Sequence, residues 1–406
     1  MDHEEYMAVD AAVDDLEAEA VSFLSDLVRT PSPNPPGKYD DVVSVLTETY
    51  ESYGWEVDVV EAPGTLLDAH DLPHPRPNVL ATVTEGDGPT IALNAHFDTV
   101  PVEESRWNHE PFGATVEDGR LYGRGATDSK GRIASYTLAA RALEAADLLP
   151  ADATVVLAMT ADEETGGHAG AGYVAEEVLA PDYAVVEGSS ETIWHAGCGV
   201  LHFRVSVSGE AAHAGSPDNG ENAIRVANRV LSALFDHGDD LAARESEVPG
   251  VDGPTCTPGT IEGGTKTNVV PATCSFTVDR RVPPDEDIEA AERAFRDIVA
   301  EAAGNASVEV ERVLRARPYR FDRDDPHVRA LQESAAALLD REVSVEGTQG
   351  FTDARFFARA GADCVHFGPG DEGSNAHSAD ESVDLAQVRD AGAVVAAGVR
   401  AMADYS

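Results

Sequence analysis

Histidines and carboxylates stand beside turn-forming residues in four short segments of this chain. They are Asn94-Ala-His96-Phe-Asp98-Thr-Val-Pro101, Gly123-Arg-Gly-Ala-Thr-Asp128-Ser-Lys-Gly131, Ala161-Asp-Glu163-Glu164-Thr-Gly-Gly167 and Asn375-Ala-His377-Ser378. Each lies at the end of an apolar stretch, which is where an α/β sheet presents its chemistry. Imidazole nitrogens and carboxylate oxygens are the donors that a pair of zinc ions takes.

Taken singly, each residue also has an ordinary structural role. His96 can bind metal through one ring nitrogen while Asp98 holds the other N–H, or it can be a buried, hydrogen-bonded histidine. Asp128, in a glycine-bounded loop just before a helix, can bridge two ions or cap that helix. Glu163 and Glu164 follow a strand. As a solvated pair they do nothing, but beside metal one can ligate while the other takes and returns a proton. Glu187 ends the run Tyr183–Val186, and His377 sits in a polar loop.

The elements that must position these residues follow from periodicity. Apolar residues at helical spacing mark 10–29 and 41–53 as helices, and β-rich runs cover 55–60, 78–83 and 90–93. Helix 133–146, strand 154–159, helix 171–179 and strand 183–186 then alternate at βαβ spacing. The first half therefore reads as an α/β fold, a mostly parallel sheet with helices on both faces. From about residue 200 the order becomes strand 200–208, helix 222–234, strands 255–263 and 272–279, helix 287–303 and strand 307–314. That is a ferredoxin-like β-α-β-β-α-β module. Helices 327–339, 353–360 and 386–403 return the chain to the first domain. The expected division is 1–198 with 316–406, interrupted by an inserted domain at 199–315.

With 74 acidic against 29 basic residues, the chain carries a net charge of -45 at pH 7. Lys38, Lys130 and Lys266 are its only lysines. Such a surface disfavours nucleic acid and anionic membranes as partners and resembles that of halophilic archaeal proteins, whose salty cytoplasm screens dense carboxylates. The acidic N-terminus has no signal-peptide pattern and no apolar run is long enough to span a bilayer, so a cytoplasmic location is expected. Cys198, Cys256, Cys274 and Cys364 show no CxxC spacing and read as reduced, buried thiols.

In order and company, the four segments and Glu187 resemble the dinuclear zinc aminoacylase and carboxypeptidase family. That family includes acetylornithine deacetylase, succinyl-diaminopimelate desuccinylase and glutamate carboxypeptidases. The resemblance runs from about Leu24 to the last helix. It implies that His96 and Glu187 ligate one ion, Glu164 and His377 the other, and Asp128 both. It makes Glu163 the general base and Asp98 the partner of His96, and it implies a cis peptide after Asp128. Zinc is the favoured metal, although cobalt or manganese accepts the same ligands.

The same resemblance gives the inserted domain a lid and dimerisation role. His213, in Gly209-Glu-Ala-Ala-His213-Ala-Gly-Ser-Pro217, is expected to reach a neighbouring subunit's site and stabilise an oxyanion. Asn268 and the pair Arg280-Arg281 resemble lid contacts to substrate; the family pattern favours Arg281, and Arg280 is as easily a surface charge. Arg355, in Gly350-Phe-Thr-Asp353-Ala-Arg355-Phe-Phe357, resembles a residue that binds substrate carboxylate, with a structural ion pair as its alternative. Gly350-Phe351-Thr352 departs from the family's usual Gly-Thr-Ser. The implied reaction is hydrolysis of the amide of an N-acyl amino acid carrying a free carboxylate, with a water between the two metals attacking. Carboxypeptidase or dipeptidase action is the alternative within the family. A catalytically silent binding homologue would lack a ligand or the base, and neither is missing.

Overall fold

The computed structural model describes residues 1–370 and 375–405. Gly373 and Ser374, which precede the Asn375–Ser378 segment, lie outside the described residues. The chain forms two compact units. One comprises Met1–His195, Phe321–Val345 and Thr352–Ser406, and the other Ala196–Arg320 and Glu346–Phe351.

In the first unit the sheet runs in the order Glu56–Glu61, Pro77–Thr84, Thr154–Thr160, Thr90–His96, Tyr183–Val186, Asp363–His366, Thr192–Gly197. Thr154–Thr160, Thr90–His96, Tyr183–Val186 and Asp363–His366 are parallel to their neighbours within this group. The flanking strands are antiparallel. Val155, Leu157 and Met159 pack to one side with Ile91, Leu93 and residues of helices His3–Arg29, Gly131–Ala145, Pro326–Leu338 and Leu385–Met402. Val156 and Ala158 point to the other side, against Leu80 and Val174. Both faces are covered, as a parallel sheet requires, and the alternation of large side chains along Thr154–Thr160 serves both.

One expected helix is wound more widely than a regular α-helix. Residues 168–179 wind into wide π-type turns, His168–Gly172 and Val174–Leu179, broken at Gly170. The cause is a close approach: a Cβ on Gly170 would stand 1.7 Å from the Ala161 carbonyl oxygen. At Gly170 the backbone is pressed against the turn that precedes Glu163, and only glycine fits there. A small antiparallel sheet of Ser382–Asp384, Arg120–Tyr122 and Thr115–Glu117 was not legible in the sequence. Strands of three residues show no period to read.

The second unit has the expected β-α-β-β-α-β order. Its four strands lie in the order Thr255–Gly263, Thr273–Val282, Gly199–Ser208, Ser307–Ala316, all antiparallel. Helices Ala223–Ala242 and Ile288–Ala303 cover one face, where Phe203 stacks on Phe295 at 4.0 Å between centroids. Alternation along Thr273–Val282 corrects one expectation. Arg280 is no surface charge: it turns into the unit, is 1% exposed, and its Nη2 donates to both carboxylate oxygens of Glu286 at 2.6 and 2.7 Å.

Candidate metal centre

Three adjacent parallel strands deliver most of the site. His96 is the last residue of Thr90–His96, Glu163 and Glu164 follow Thr154–Thr160, and Glu187 follows Tyr183–Val186. Strand order, not sequence distance, brings them to one edge, the carboxyl ends of a parallel sheet. Asp128 arrives from the turn Ala126–Lys130, where the Asp128–Ser129 peptide is cis. His377 comes from the loop that leads into strand Ser382–Asp384.

The atoms converge as two overlapping sets. His96 Nε2 stands 3.1 Å from Asp128 Oδ1 and 3.4 Å from Glu187 Oε2. His377 Nε2 stands 3.2 Å from Asp128 Oδ2 and 3.2 Å from Glu164 Oε2. Within each set the donor atoms lie within 4.8 Å of one another. Asp128 belongs to both and turns one oxygen toward each histidine. Glu163 ligates in neither set. Its Oε2 is 4.0 Å from His96 Nε2, beside the donors but not among them.

These residues fit a pair of divalent cations. The donors are imidazole nitrogen and carboxylate oxygen, the ligand types of zinc sites. Glu187 Oε2 is buried and has no hydrogen-bond partner, which is costly for a carboxylate unless a cation meets it. Burial disfavours the imidazolium of His96, yet Glu187, Asp128 and Asp98 carry its pKa well above the usual range. Hydrogen bonds to Asp128 and Glu164 push His377 up to about 10. Carboxylates gathered this closely around two imidazoles make a negative field that divalent cations would satisfy.

Glu163 has its own electrostatics. Burial pushes the Glu163 carboxyl well above the usual carboxylate range, only partly opposed by His96. A raised pKa suits a group that must take a proton and give it back near neutrality.

Asp98 does more than sequence reasoning assigned to it. His96 Nδ1 lies 2.9 Å from the Asp98 backbone carbonyl and 3.4 Å from its carboxylate. The carboxylate itself accepts the backbone N–H groups of Glu163 and Glu164 and the side-chain amide of Asn34. Nothing in the sequence singled out Asn34. Behind it, Arg76 pairs with Asp162 at 3.0 Å, and each is 1% exposed. Asp162 takes the left-handed conformation, φ 75°, that swings Glu163 and Glu164 into the site, and it accepts the Thr165 hydroxyl and the Ala169 N–H. Arg132 donates to the carbonyls of Thr127 and Gly188, bracing the segments that carry Asp128 and Glu187. Glu381, buried behind Asp128, was also missed. Its place in Asp-Glu after the His377 loop was the one available signal.

The remaining expected residues fall into separate groups. Arg355 is turned to the carbonyls of Thr352 and Gly166, with its guanidinium 4.2 Å from the Phe356 ring centroid. There it fastens the glycine turn after Glu164. In the second unit His213 and Asn268 are both exposed. They lie on two loops joined by the Ala214 N–H to Asn268 carbonyl bond and by a bridge between His213 and Val269. Arg281, near the far end of strand Thr273–Val282, holds Asp279 at 3.0 Å. At about 3.4 Å per residue, it lies some 25 Å or more along the sheet from that loop pair.

An α/β unit whose parallel-strand ends carry two N/O ligand sets sharing one carboxylate defines a class of dinuclear-metal proteins. The chain belongs to Peptidase family M20/M25/M40, whose family model matches residues 92–401. The acetylornithine deacetylase of Shigella sonnei (strain Ss046) is 31% identical over 263 residues, 64% of this chain. The match spans 65% of that protein, just under two thirds of its length. Among solved structures, an M20 family metallo-carboxypeptidase from Sulfolobus solfataricus superposes with a TM-score of 0.77 at 20% identity, covering 95% of this chain and 99% of that one. A dipeptidase from Saccharomyces cerevisiae gives 0.75 at 16% identity, covering 100% and 99%. At such identities the structures speak for the fold. Among the described residues no helix is long and apolar enough to cross a membrane.

Proposed function

We propose that the protein is a metal-dependent hydrolase that cleaves the amide bond of an N-acyl amino acid, of the deacetylase or desuccinylase type. The observation that carries this reading is Asp128, one oxygen toward His96 and the other toward His377, with the unligating Glu163 alongside. Likeness to an acetylornithine deacetylase favours the acyl-amino-acid branch. The carboxypeptidase and dipeptidase among the structural neighbours keep peptide cleavage as the second reading.

His96 and Glu187 would hold one divalent ion, Glu164 and His377 the other, and Asp128 both. When bound, such ions polarise a carbonyl and lower the pKa of water from ~15.7 toward ~7. Glu163, held by Asp98 through its backbone N–H, accepts the proton of the attacking water and passes it to the departing amine. Arg132 keeps Asp128 and Glu187 in register, and Asp98 keeps the His96 ring in place. We assign oxyanion stabilisation to His213, recognition of the substrate's free carboxylate to Arg281 and Arg355, and a hydrogen bond to a substrate carbonyl or carboxylate oxygen to Asn268. The length of sheet between His213 and Arg281 within one unit supports His213 serving a second copy of the chain. A homodimer formed through the inserted domain, in a high-salt cytoplasm that screens the charge of -45, completes the proposal.

The test is hydrolysis of a panel in molar salt by zinc-, cobalt- or manganese-loaded protein. N-acetylornithine, N-succinyl-diaminopimelate, other N-acyl amino acids and dipeptides make up the panel. Turnover of one acyl amino acid above the dipeptides supports the reading. Turnover of dipeptides alone moves it to the peptidase branch.

A further inference from the structure

Two of the ligand residues do not sit on the main sheet. Asp128 rides on a five-residue turn and His377 on a loop with left-handed backbone, φ 60°. Something must fix their separation, because Asp128 has to serve both ligand sets at once.

The joint is Glu381, four residues beyond His377 and fully buried. Its Oε1 accepts the backbone N–H groups of Thr127 and Asp128, each at 3.0 Å. Its Oε2 accepts the Gly125 N–H at 3.1 Å and pairs with Arg124 at 2.5 Å. Arg124 in turn donates to the His377 carbonyl at 3.4 Å. Thr127 adds a parallel tie, its hydroxyl donating to the Ser382 carbonyl at 2.7 Å. One carboxylate thus receives three backbone donors from the Asp128 turn while its own backbone continues from the His377 loop. The far side of that loop is anchored too: Asp380 accepts the backbone N–H groups of Asn108 and His109 at 2.8 and 2.9 Å.

We propose that Glu381 is a positioning residue that sets the placement of Asp128 relative to His377, and so governs binding of the second metal ion. This rests on the dinuclear reading of the site. His96 and Glu187 are placed by strands of the sheet and keep their positions without Glu381, whereas the Glu164–His377 set depends on the joint. Glutamine at this position keeps the shape but replaces one acceptor with an NH2 group, which faces backbone donors whichever way the amide is turned. Partners behind metal ligands typically change metal affinity by about 10- to 100-fold.

The test is zinc binding by competition with a chromophoric chelator, in molar potassium chloride, for wild type, Glu381→Gln and Thr127→Val. Circular dichroism checks that each is folded. Wild type should bind two zinc ions per chain; fewer would overturn the dinuclear reading itself, and the proposal with it. With wild type at two, Glu381→Gln should weaken the second ion by about 10- to 100-fold and the first by much less. Thr127→Val, near-isosteric and lacking only its tie to Ser382, should weaken the same ion by a smaller factor. Should Glu381→Gln not fold, Thr127→Val decides. Two ions bound with wild-type affinities in the folded variants, or equal weakening of both ions, would overturn the proposal.

Discussion

Asp98 Oδ1 accepts the backbone N–H of Glu163 at 3.2 Å across 65 residues of sequence. The residue whose backbone carbonyl meets the His96 ring therefore also holds the backbone of Glu163 through its carboxylate, so one residue sets both. Asp98→Ala should lower kcat by about 10- to 100-fold and weaken metal binding in the same range. Kinetics on metal-saturated protein together with a zinc titration check it. A loss of metal affinity with kcat unchanged would mean that the link to Glu163 carries no catalytic weight.

Arg76 and Asp162 form a buried ion pair that holds the turn before Glu163. Removing one partner leaves an uncompensated buried charge, a change that costs about 3–5 kcal/mol in comparable pairs. Arg76→Ala should show a loss of that order in denaturant unfolding. A loss below about 1 kcal/mol would place the pair among exposed bridges of little weight.

Asp353 gives a pH dependence whose sign is fixed by its surroundings. Its carboxyl is 1% exposed and neither oxygen has a hydrogen-bond partner. Burial pushes its pKa to about 8, with Arg355 opposing and Glu187 adding to the rise. A folded-state pKa above the unfolded value near 3.8 favours the protonated form on folding. Its contribution is whole below about pH 4 and is lost progressively as pH rises through about 8. Metal-free Asp353→Asn should therefore match wild type near pH 4 and be the more stable protein at pH 9. Parallel stability profiles across that range would contradict the assignment.

The charge of -45 implies strong self-repulsion in dilute salt, where the Debye length reaches about 10 Å at 0.1 M. The melting temperature should fall steadily as potassium chloride is lowered from about 2 M to 0.1 M. A melting temperature independent of salt would show that the acidic surface is not an adaptation to it.

The sequence carried the long elements well, because strands such as Thr154–Thr160 and helices such as Ile288–Ala303 bury a whole period of side chains. The candidate donors His96, Asp128, Glu164, Glu187 and His377, and Glu163 beside them, sit in short segments with recognisable neighbours, and the structure brings them together. The sequence did not show Asn34, Arg76, Asp162 or Glu381 in their roles. Their partners are backbone amides and carboxylates scores of residues away, a relation that leaves no local pattern. The break at Gly170, just before the helix expected at 171–179, has the same origin: its contact with Ala161 is tertiary.

The central claim is that Glu163 moves the proton at a site built around two ions sharing Asp128. Single-turnover hydrolysis by Glu163→Gln, with bound zinc counted in the same sample, tests it most directly. The expected result is two zinc ions per chain, as in wild type, with the rate of amide cleavage reduced by about 100- to 10,000-fold. Two bound ions and a rate within a few-fold of wild type would contradict it and pass the proton to another group.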